Sequence, residues 1–138
     1  MSTAENPCPC GSGEDYTHCC EPYHKGAPTP HPVALMRSRY SAYALGLSDY
    51  IIDTTHPKNP RYHPNRSEWK KEIDQFVGLT DFVDLEVIAH SEKGDQGTVT
   101  FNAYLRQQGK DASFTEKSRF EKVDGRWLYL DGVPQRLA

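Results

Sequence analysis

The cysteines constrain this chain most, because all four lie near the amino terminus in two tight pairs. Cys8 and Cys10 are one residue apart, Cys19 and Cys20 are adjacent, and a short loop separates the pairs. Thiolates at this density are typical of a closed tetrahedral zinc site. A disulfide within either pair would be strained, although cross-pairing between the pairs stays open in an oxidising medium. We predict that these four cysteines hold a structural Zn²⁺ in a small lobe over residues 1–24.

Two histidines near the cysteines are alternative ligands. His18 directly precedes Cys19, His24 follows Cys20 at a short distance, and imidazole binds zinc well. Four thiolates already fill a tetrahedron, so we interpret both histidines as solvated surface residues, and the replacement of a cysteine by one of them is the alternative. Tyr16 is predicted to pack over the metal. A closed site leaves no position for water, which argues against catalysis at the zinc.

Composition places the chain among globular proteins without a strong global charge. The formal net charge is −3 and the pI is near 6.0, so nothing in the overall charge attracts nucleic acid or an anionic membrane. No stretch approaches the roughly 20 apolar residues that a membrane helix needs. The start Met1–Asn6 has neither a basic nor an apolar segment of a secretory signal. We therefore expect a cytoplasmic protein, and in that reducing compartment paired cysteines hold metal more often than each other.

Helical spacing of apolar residues follows a proline-rich linker over residues 25–32. The first helix is predicted over Val33–Leu47. A short second helix through Ile51 is expected to be capped by Asp49, and a third, Glu68–Val77, by Ser67.

The period changes from helical spacing to strict alternation at Phe82. Apolar residues then alternate with polar ones, and Asp124-Gly125 is a strong hairpin signal. Four strands in a meander, preceded by helices, predict an α+β domain over residues 33–138 with helices over one face of a curved antiparallel sheet.

Two resemblances follow from these motifs. Cys8-Pro9-Cys10-Gly11-Ser12-Gly13, then Tyr16 and Cys19-Cys20, resembles the SEC-C motif, which also ends the bacterial SecA translocase ATPase, where it binds zinc and contacts the SecB chaperone and the ribosome. Together with the run Leu35–Tyr43 and Thr55-His56-Pro57, the chain is similar to the YchJ-like family. That resemblance implies a knuckle, with the four cysteines as its zinc ligands, joined to a cone-shaped domain like nuclear transport factor 2 (cystatin-like), and it implies no established reaction.

The knuckle departs from the motif at one point that bears on partners. Lysines often stand between the glycines and the last cysteines, whereas this chain has Glu14-Asp15. An acidic knuckle argues against binding to nucleic acid.

A pocket in the cone domain is suggested by the parity of the third long strand. Phe114 and Phe120 share a parity that should face the core, and Glu116 and Ser118 lie between them on the same face. A buried carboxylate is costly unless it is paired, and the natural partners are arginines of the first helix. Arg37 and Arg39 are therefore the candidate partners of Glu116.

The same cleft is expected to be lined by aromatic residues and a histidine, namely His56, Trp69, Tyr40 and Tyr43. In one interpretation it binds a ligand, with Glu116 or His56 handling a proton. In another, a Glu–Arg pair only fixes the helix against the sheet and His56 is held by a turn. A β-bulge that rotates Glu116 outward is a third alternative.

The leading functional hypothesis is a non-catalytic adaptor. Its knuckle would contact another protein, and its cone domain would offer a pocket for a small molecule or a face for a homodimer. The alternative is a small-molecule enzyme of isomerase or hydrolase type that uses the cone cavity.

Overall fold

The computed structural model describes residues 6–134 and shows short helices at the amino end, then three helices, then a sheet. A 3₁₀ turn at Tyr16–His18 is the first regular element. The α-helices are α1 (Glu21–His24), α2 (Pro32–Leu45), α3 (Ser48–Asp53) and α4 (Arg66–Leu79). The strands are β1 (Thr80–Lys93), β2 (Gln96–Gln107), β3 (Lys110–Asp111), β4 (Phe114–Val123) and β5 (Arg126–Pro134).

The sheet is an antiparallel meander in the order β1-β2-β4-β5, with the short β3 paired to β2. The predicted meander of four strands is confirmed, and β3 is the addition. Asp124 and Gly125 both have positive φ, 51° and 80°, as a tight hairpin turn requires. The helices cover one face of the sheet, which confirms the α+β class.

The three predicted helices exist, but two of their caps differ from prediction. α2 ends at Gly46, whose φ of 74° suits a left-handed cap. Asp49 lies in the first turn of α3 and does not cap it. The cap of α4 is Asn65, whose side chain accepts a hydrogen bond from the Glu68 amide, so Ser67 lies inside the helix.

The core has two apolar parts, one between α2 and the sheet and one among the helices. The first comprises Leu35, Met36, Tyr40, Leu85, Val99, Phe101, Ala103, Leu105, Phe120 and Trp127. The second comprises Ala42, Ile51, Ile52, Trp69 and Ile73. The alternation predicted for β2 is confirmed, since every second residue of this strand is buried in the first of these parts, namely Val99, Phe101, Ala103 and Leu105.

Strict alternation fails in β1 and at the start of β4. Bulges after Phe82 and after Val87 shift the register of β1, so Val83 is 57% exposed although period two placed it in the core. Phe114 is also exposed, 44%, at the start of β4, where its ring meets that of Phe101 in an edge-type contact with centroids 6.0 Å apart. The prediction that Phe114 and Phe120 both face the core is therefore wrong for Phe114. No helix within residues 6–134 is long and apolar enough to cross a membrane.

Candidate metal centre and the polar cluster of the cone domain

The four cysteine sulfurs converge on one point in the knuckle. All of them lie within 4.8 Å of one another, none forms a disulfide, and three of the cysteines are buried. The Cys10 and Cys19 sulfurs are 3.5 Å apart, and those of Cys19 and Cys20 are 3.9 Å apart. A tetrahedral zinc with bonds of about 2.3 Å has S–S edges of about 3.8 Å. The cluster therefore has the size of a four-thiolate metal site.

The pKa values of the cysteine thiols indicate how a cation would stabilise this cluster. Hydrogen bonds from the thiols of Cys20 and Cys8 lower the pKa of Cys10, and the same sharing raises the pKa of Cys20. Burial raises the pKa of Cys19. Sulfurs this close share protons because adjacent thiolates repel one another, whereas a divalent ion would stabilise all four as thiolates.

The loop between the cysteine pairs supplies polar contacts to sulfur. The Ser12 hydroxyl lies 3.2 Å from the Cys19 sulfur, and hydrogen bonding from Ser12 contributes to lowering the pKa of Cys10. Tyr16 packs against the cysteine cluster, and its position over a metal stays a prediction. These groups could serve as the outer partners that a thiolate site requires.

The histidines are not in the cluster. His18 is exposed, in agreement with the interpretation as a surface residue. His24 is half-buried, so that interpretation is wrong for it: its Nδ1 accepts a hydrogen bond from the Tyr16 hydroxyl at 2.6 Å, and its Nε2 donates to the Ser38 carbonyl at 2.8 Å. Both ring nitrogens are occupied within the protein, which leaves none to bind metal.

The knuckle is attached to the polar side of α2. Arg37 donates from Nη1 to the Cys10 carbonyl at 2.9 Å, and the buried Ser38 and Ser41 lie beneath His24. Arg37 was predicted to line the pocket, and its guanidinium instead contacts the knuckle.

Gly11 brings the knuckle against the sheet as well. A Cβ on Gly11 would lie 2.5 Å from the Asp84 Oδ1 and 3.0 Å from the Leu85 carbonyl, and its φ is 79°. The first bulge of β1 therefore meets a glycine of the loop between the two cysteine pairs. The knuckle thus contacts both α2 and β1, and α2 contacts the sheet with one set of side chains and the knuckle with another.

The predicted Glu116–arginine ion pair is absent from the described residues. Glu116 accepts hydrogen bonds at Oε2 from the Ser118 hydroxyl at 2.7 Å and the Tyr129 hydroxyl at 3.2 Å. Gly132 leaves room for that carboxylate, since a Cβ there would lie 2.3 Å from Glu116 Oε2. Glu116 is half-buried and Ser118 is fully buried, so both face inward as their parity predicted.

Arg39 reaches Glu116 only through a tyrosine. Its Cζ lies 4.7 Å from the ring centroid of Tyr129, whose hydroxyl contacts Glu116. Burial, and secondarily the Glu116 carboxylate, raise the pKa of the Tyr129 hydroxyl. Tyr129 was not among the residues predicted from the sequence. The residue lies two positions after Trp127 on β5, and this spacing places both side chains on the inner face of the sheet. We call Arg39, Glu116, Ser118 and Tyr129 the polar cluster.

The other predicted pocket residues lie elsewhere. His56 is 5% exposed; its Nδ1 accepts from the Lys58 amide and its Nε2 donates to Glu121 at 2.8 Å, so a turn and a carboxylate hold it. Trp69 packs in the helical part of the core with Tyr62.

The two predicted tyrosines of α2 also have partners. Tyr40 donates to the Asp84 carbonyl at 2.9 Å, and Tyr43 stacks on Phe82. Two surface clefts lie away from the predicted pocket residues. One, of about 320 Å³, is lined by residues that include Lys110, and the other, of about 530 Å³, by residues that include His90.

Comparison with known proteins agrees with both parts of this architecture. Residues 31–132 match the family model described as YchJ, middle NTF2-like domain, and residues 6–22 match the SEC-C motif. A UPF0225 protein of Vibrio vulnificus is 44% identical over 130 residues, which are 91% of this chain and 74% of that protein.

Solved structures show the same arrangement. A SEC-C motif containing protein from Rhodopseudomonas palustris aligns with a TM-score of 0.81 at 39% identity, covering 94% of this chain and 99% of that one. Another from Psychrobacter arcticus aligns with a TM-score of 0.79 at 28% identity, covering 100% and 88%. The chain therefore belongs to the YchJ-like (UPF0225) family, in which a SEC-C motif precedes a nuclear transport factor 2-like domain.

Proposed function

We propose that this protein is a zinc-dependent adaptor, whose knuckle contacts another protein and whose cone domain holds the knuckle in place. The observation that carries the proposal is the way the knuckle is held. Its inner side is fixed to α2 and β1 by Arg37, His24 and Gly11, while the turn formed by Ser12–Glu14 and Thr17-His18 faces solvent. A metal-closed lobe fixed on one side and exposed on the other suits the presentation of a contact surface.

Zinc is the metal that the donor set favours. Four soft thiolates in a tetrahedron suit Zn²⁺ better than the hard cations, which prefer oxygen. Cys8, Cys10, Cys19 and Cys20 would hold it, and the ion would order a lobe too small to have a core of its own.

A capture experiment with the zinc-loaded full chain tests the adaptor role. The wild type is compared with Glu14→Lys and His18→Ala, which change the exposed turn, and with Arg119→Glu on the outer face of the sheet as the control. We expect one or more proteins to be captured by the wild type and by the control, and to be lost with the knuckle variants although one equivalent of zinc is retained. A purified captured protein should then bind with the same order of affinities. Identical capture by all variants would contradict the proposal.

Catalysis in the cone domain stays a prediction from the sequence. His56 and Glu116, the two residues considered for proton transfer, have separate hydrogen-bond partners, Glu121 for the first and Ser118 with Tyr129 for the second. The cytoplasmic location and a homodimer through the sheet also stay predictions.

A further inference from the structure

Arg39 is a buried cation without a carboxylate partner. It projects from α2 and is 6% exposed, and within residues 6–134 it forms no ion pair. Buried charges in proteins are generally paired, because removing a charge from water is expensive. The missing counter-charge at Arg39 is therefore an unusual feature of this core.

One nitrogen of Arg39 makes all of its hydrogen bonds. Nη1 donates to the Ile51 carbonyl at 3.0 Å, to the Thr54 hydroxyl at 2.8 Å and to the Thr55 hydroxyl at 3.1 Å. These acceptors are neutral oxygens at the end of α3. Nε and Nη2 carry the other donors of the guanidinium, and they find no acceptor in the described part of the chain.

Protein does not completely enclose the unpartnered edge of Arg39. Among the described residues, Trp127 Nε1 is the side-chain nitrogen or oxygen that is both fully enclosed and without a partner. Nε and Nη2 of Arg39 lack partners and are not in that category, so they are not completely enclosed. An unpartnered donor pair on a buried cation is the feature that a ligand would recognise.

Tyr129 holds the guanidinium in a fixed plane. The ring lies under Arg39, with 4.7 Å between Cζ and the ring centroid, and its hydroxyl is bonded to Glu116. Backbone hydrogen bonds fix the same tyrosine from both sides, since its amide donates to the Thr54 carbonyl and its carbonyl accepts from the His56 amide, each at 2.8 Å. The donor edge is thus preorganised before any ligand arrives.

We propose that the Nε–Nη2 edge of Arg39 binds the carboxylate of a small organic acid inside the cone domain. A guanidinium edge presents two parallel donors that match the two oxygens of a carboxylate, and the ligand would supply the missing counter-charge. Glu116 lies at the far end of Tyr129 and repels additional negative charge, so a monocarboxylate should bind better than phosphate. This site goes beyond the adaptor role and does not depend on the knuckle's partner.

Nuclear magnetic resonance of the arginine Nε–H groups tests the proposal directly on the zinc-loaded full chain. Benzoate, acetate and inorganic phosphate are titrated at constant ionic strength. We expect a saturable shift of the Arg39 resonance with benzoate or acetate, and a shift with phosphate that needs a higher concentration. If neither carboxylate shifts that resonance saturably up to its solubility limit, the proposal is overturned.

Two substitutions of opposite expected sign separate ligand binding from loss of folding. Arg39→Lys should weaken benzoate binding about tenfold or more, since a charge-assisted pair of hydrogen bonds is lost. Glu116→Gln should strengthen it by about threefold, because a nearby negative charge is removed. Arg119→Lys on the outer face is the matched control and should leave the affinity unchanged.

Either of two results would contradict the proposed carboxylate site at Arg39. Unchanged affinity in a folded Arg39→Lys variant would place the carboxylate elsewhere. Weaker binding in Glu116→Gln would contradict the proposed arrangement, in which the carboxylate of Glu116 repels the ligand. Should Arg39→Lys fail to fold, the wild-type titration and Glu116→Gln still decide.

Discussion

The knuckle and the cone domain solve the problem of folding in different ways. The described part of the knuckle has a core of cysteine sulfurs with Tyr16 against them, whereas the cone domain buries Leu35, Phe120 and Trp127 among other apolar side chains. We expect the first to be stabilised by a metal ion bound to the sulfurs, whereas the second is stabilised by the removal of apolar surface from water. If the knuckle depends on a metal and the cone domain does not, the two regions should respond to different perturbations.

Helix α2 shows the same contrast on its two sides. Leu35 and Tyr40 face the sheet, whereas Arg37, Ser38 and Ser41 face the knuckle. The sheet-facing side is held by apolar packing, and the knuckle-facing side is joined by hydrogen bonds. Because water competes for those hydrogen bonds, each contributes less to stability than the burial of a large apolar side chain. We therefore expect the knuckle to separate from α2 before the cone domain unfolds.

Removal of the metal ligands should have the largest effect. Cys19→Ser combined with Cys20→Ser should abolish zinc binding and unfold the knuckle, since structural zinc contributes on the order of 10 kcal/mol to folding a lobe of this kind. Elemental analysis should fall from about one equivalent to near zero, while the sheet keeps its circular dichroism. His18→Ala is the control and should retain zinc. Zinc retained by the double variant would contradict the assignment of Cys19 and Cys20 as metal ligands.

A cavity in the apolar core should act on the other region. Phe120 is 1% exposed, so Phe120→Ala should lower the free energy of unfolding by about 3–5 kcal/mol and leave the zinc content unchanged. Urea denaturation followed by tryptophan fluorescence measures this. Phe114→Ala, at an exposed position of the same strand, should cost much less. Equal effects would mean that Phe114 is in the core after all.

The close contact between the two regions can be tested at a pair of glycines. Gly11→Ala must relieve both its positive φ and the contact with Asp84 and Leu85, whereas Gly13, with φ of 85°, has nothing within 4 Å of its Cβ position. Gly11→Ala should therefore be more destabilising than Gly13→Ala, by about 1 kcal/mol or more. Hydrogen exchange at the amides of β1 gives a second measure. Equal costs for the two variants would show that the knuckle does not rest on β1.

The smallest expected effect concerns the hydrogen bond from Arg37 to the Cys10 carbonyl. Arg37→Met should keep zinc and lower the free energy of unfolding by about 1 kcal/mol, with faster hydrogen exchange within the knuckle. Arg119→Met is the comparison: it removes an exposed pair with Asp131, which surface screening holds to about 0.5 kcal/mol or less. No change in exchange for Arg37→Met would mean that other contacts hold the knuckle.

The sequence alone determined the elements whose signals are local. Four cysteines at close spacing indicated one thiolate cluster, and Asp124-Gly125 indicated the last hairpin. The α+β order followed from the change of hydrophobic period near Phe82. Each of these depends on residues that are neighbours along the chain, so their chemistry can be read without a fold.

Only the tertiary structure decided which of the remaining side chains meet. Bulges in β1 turned Val83 outward, and the strand end left Phe114 exposed. Arg37 and Arg39 lie two positions apart on one helix, yet the first reaches the knuckle and the second reaches Tyr129. The reason is that residues two apart on a helix point in different directions, and what each one meets depends on chain segments far away in the sequence.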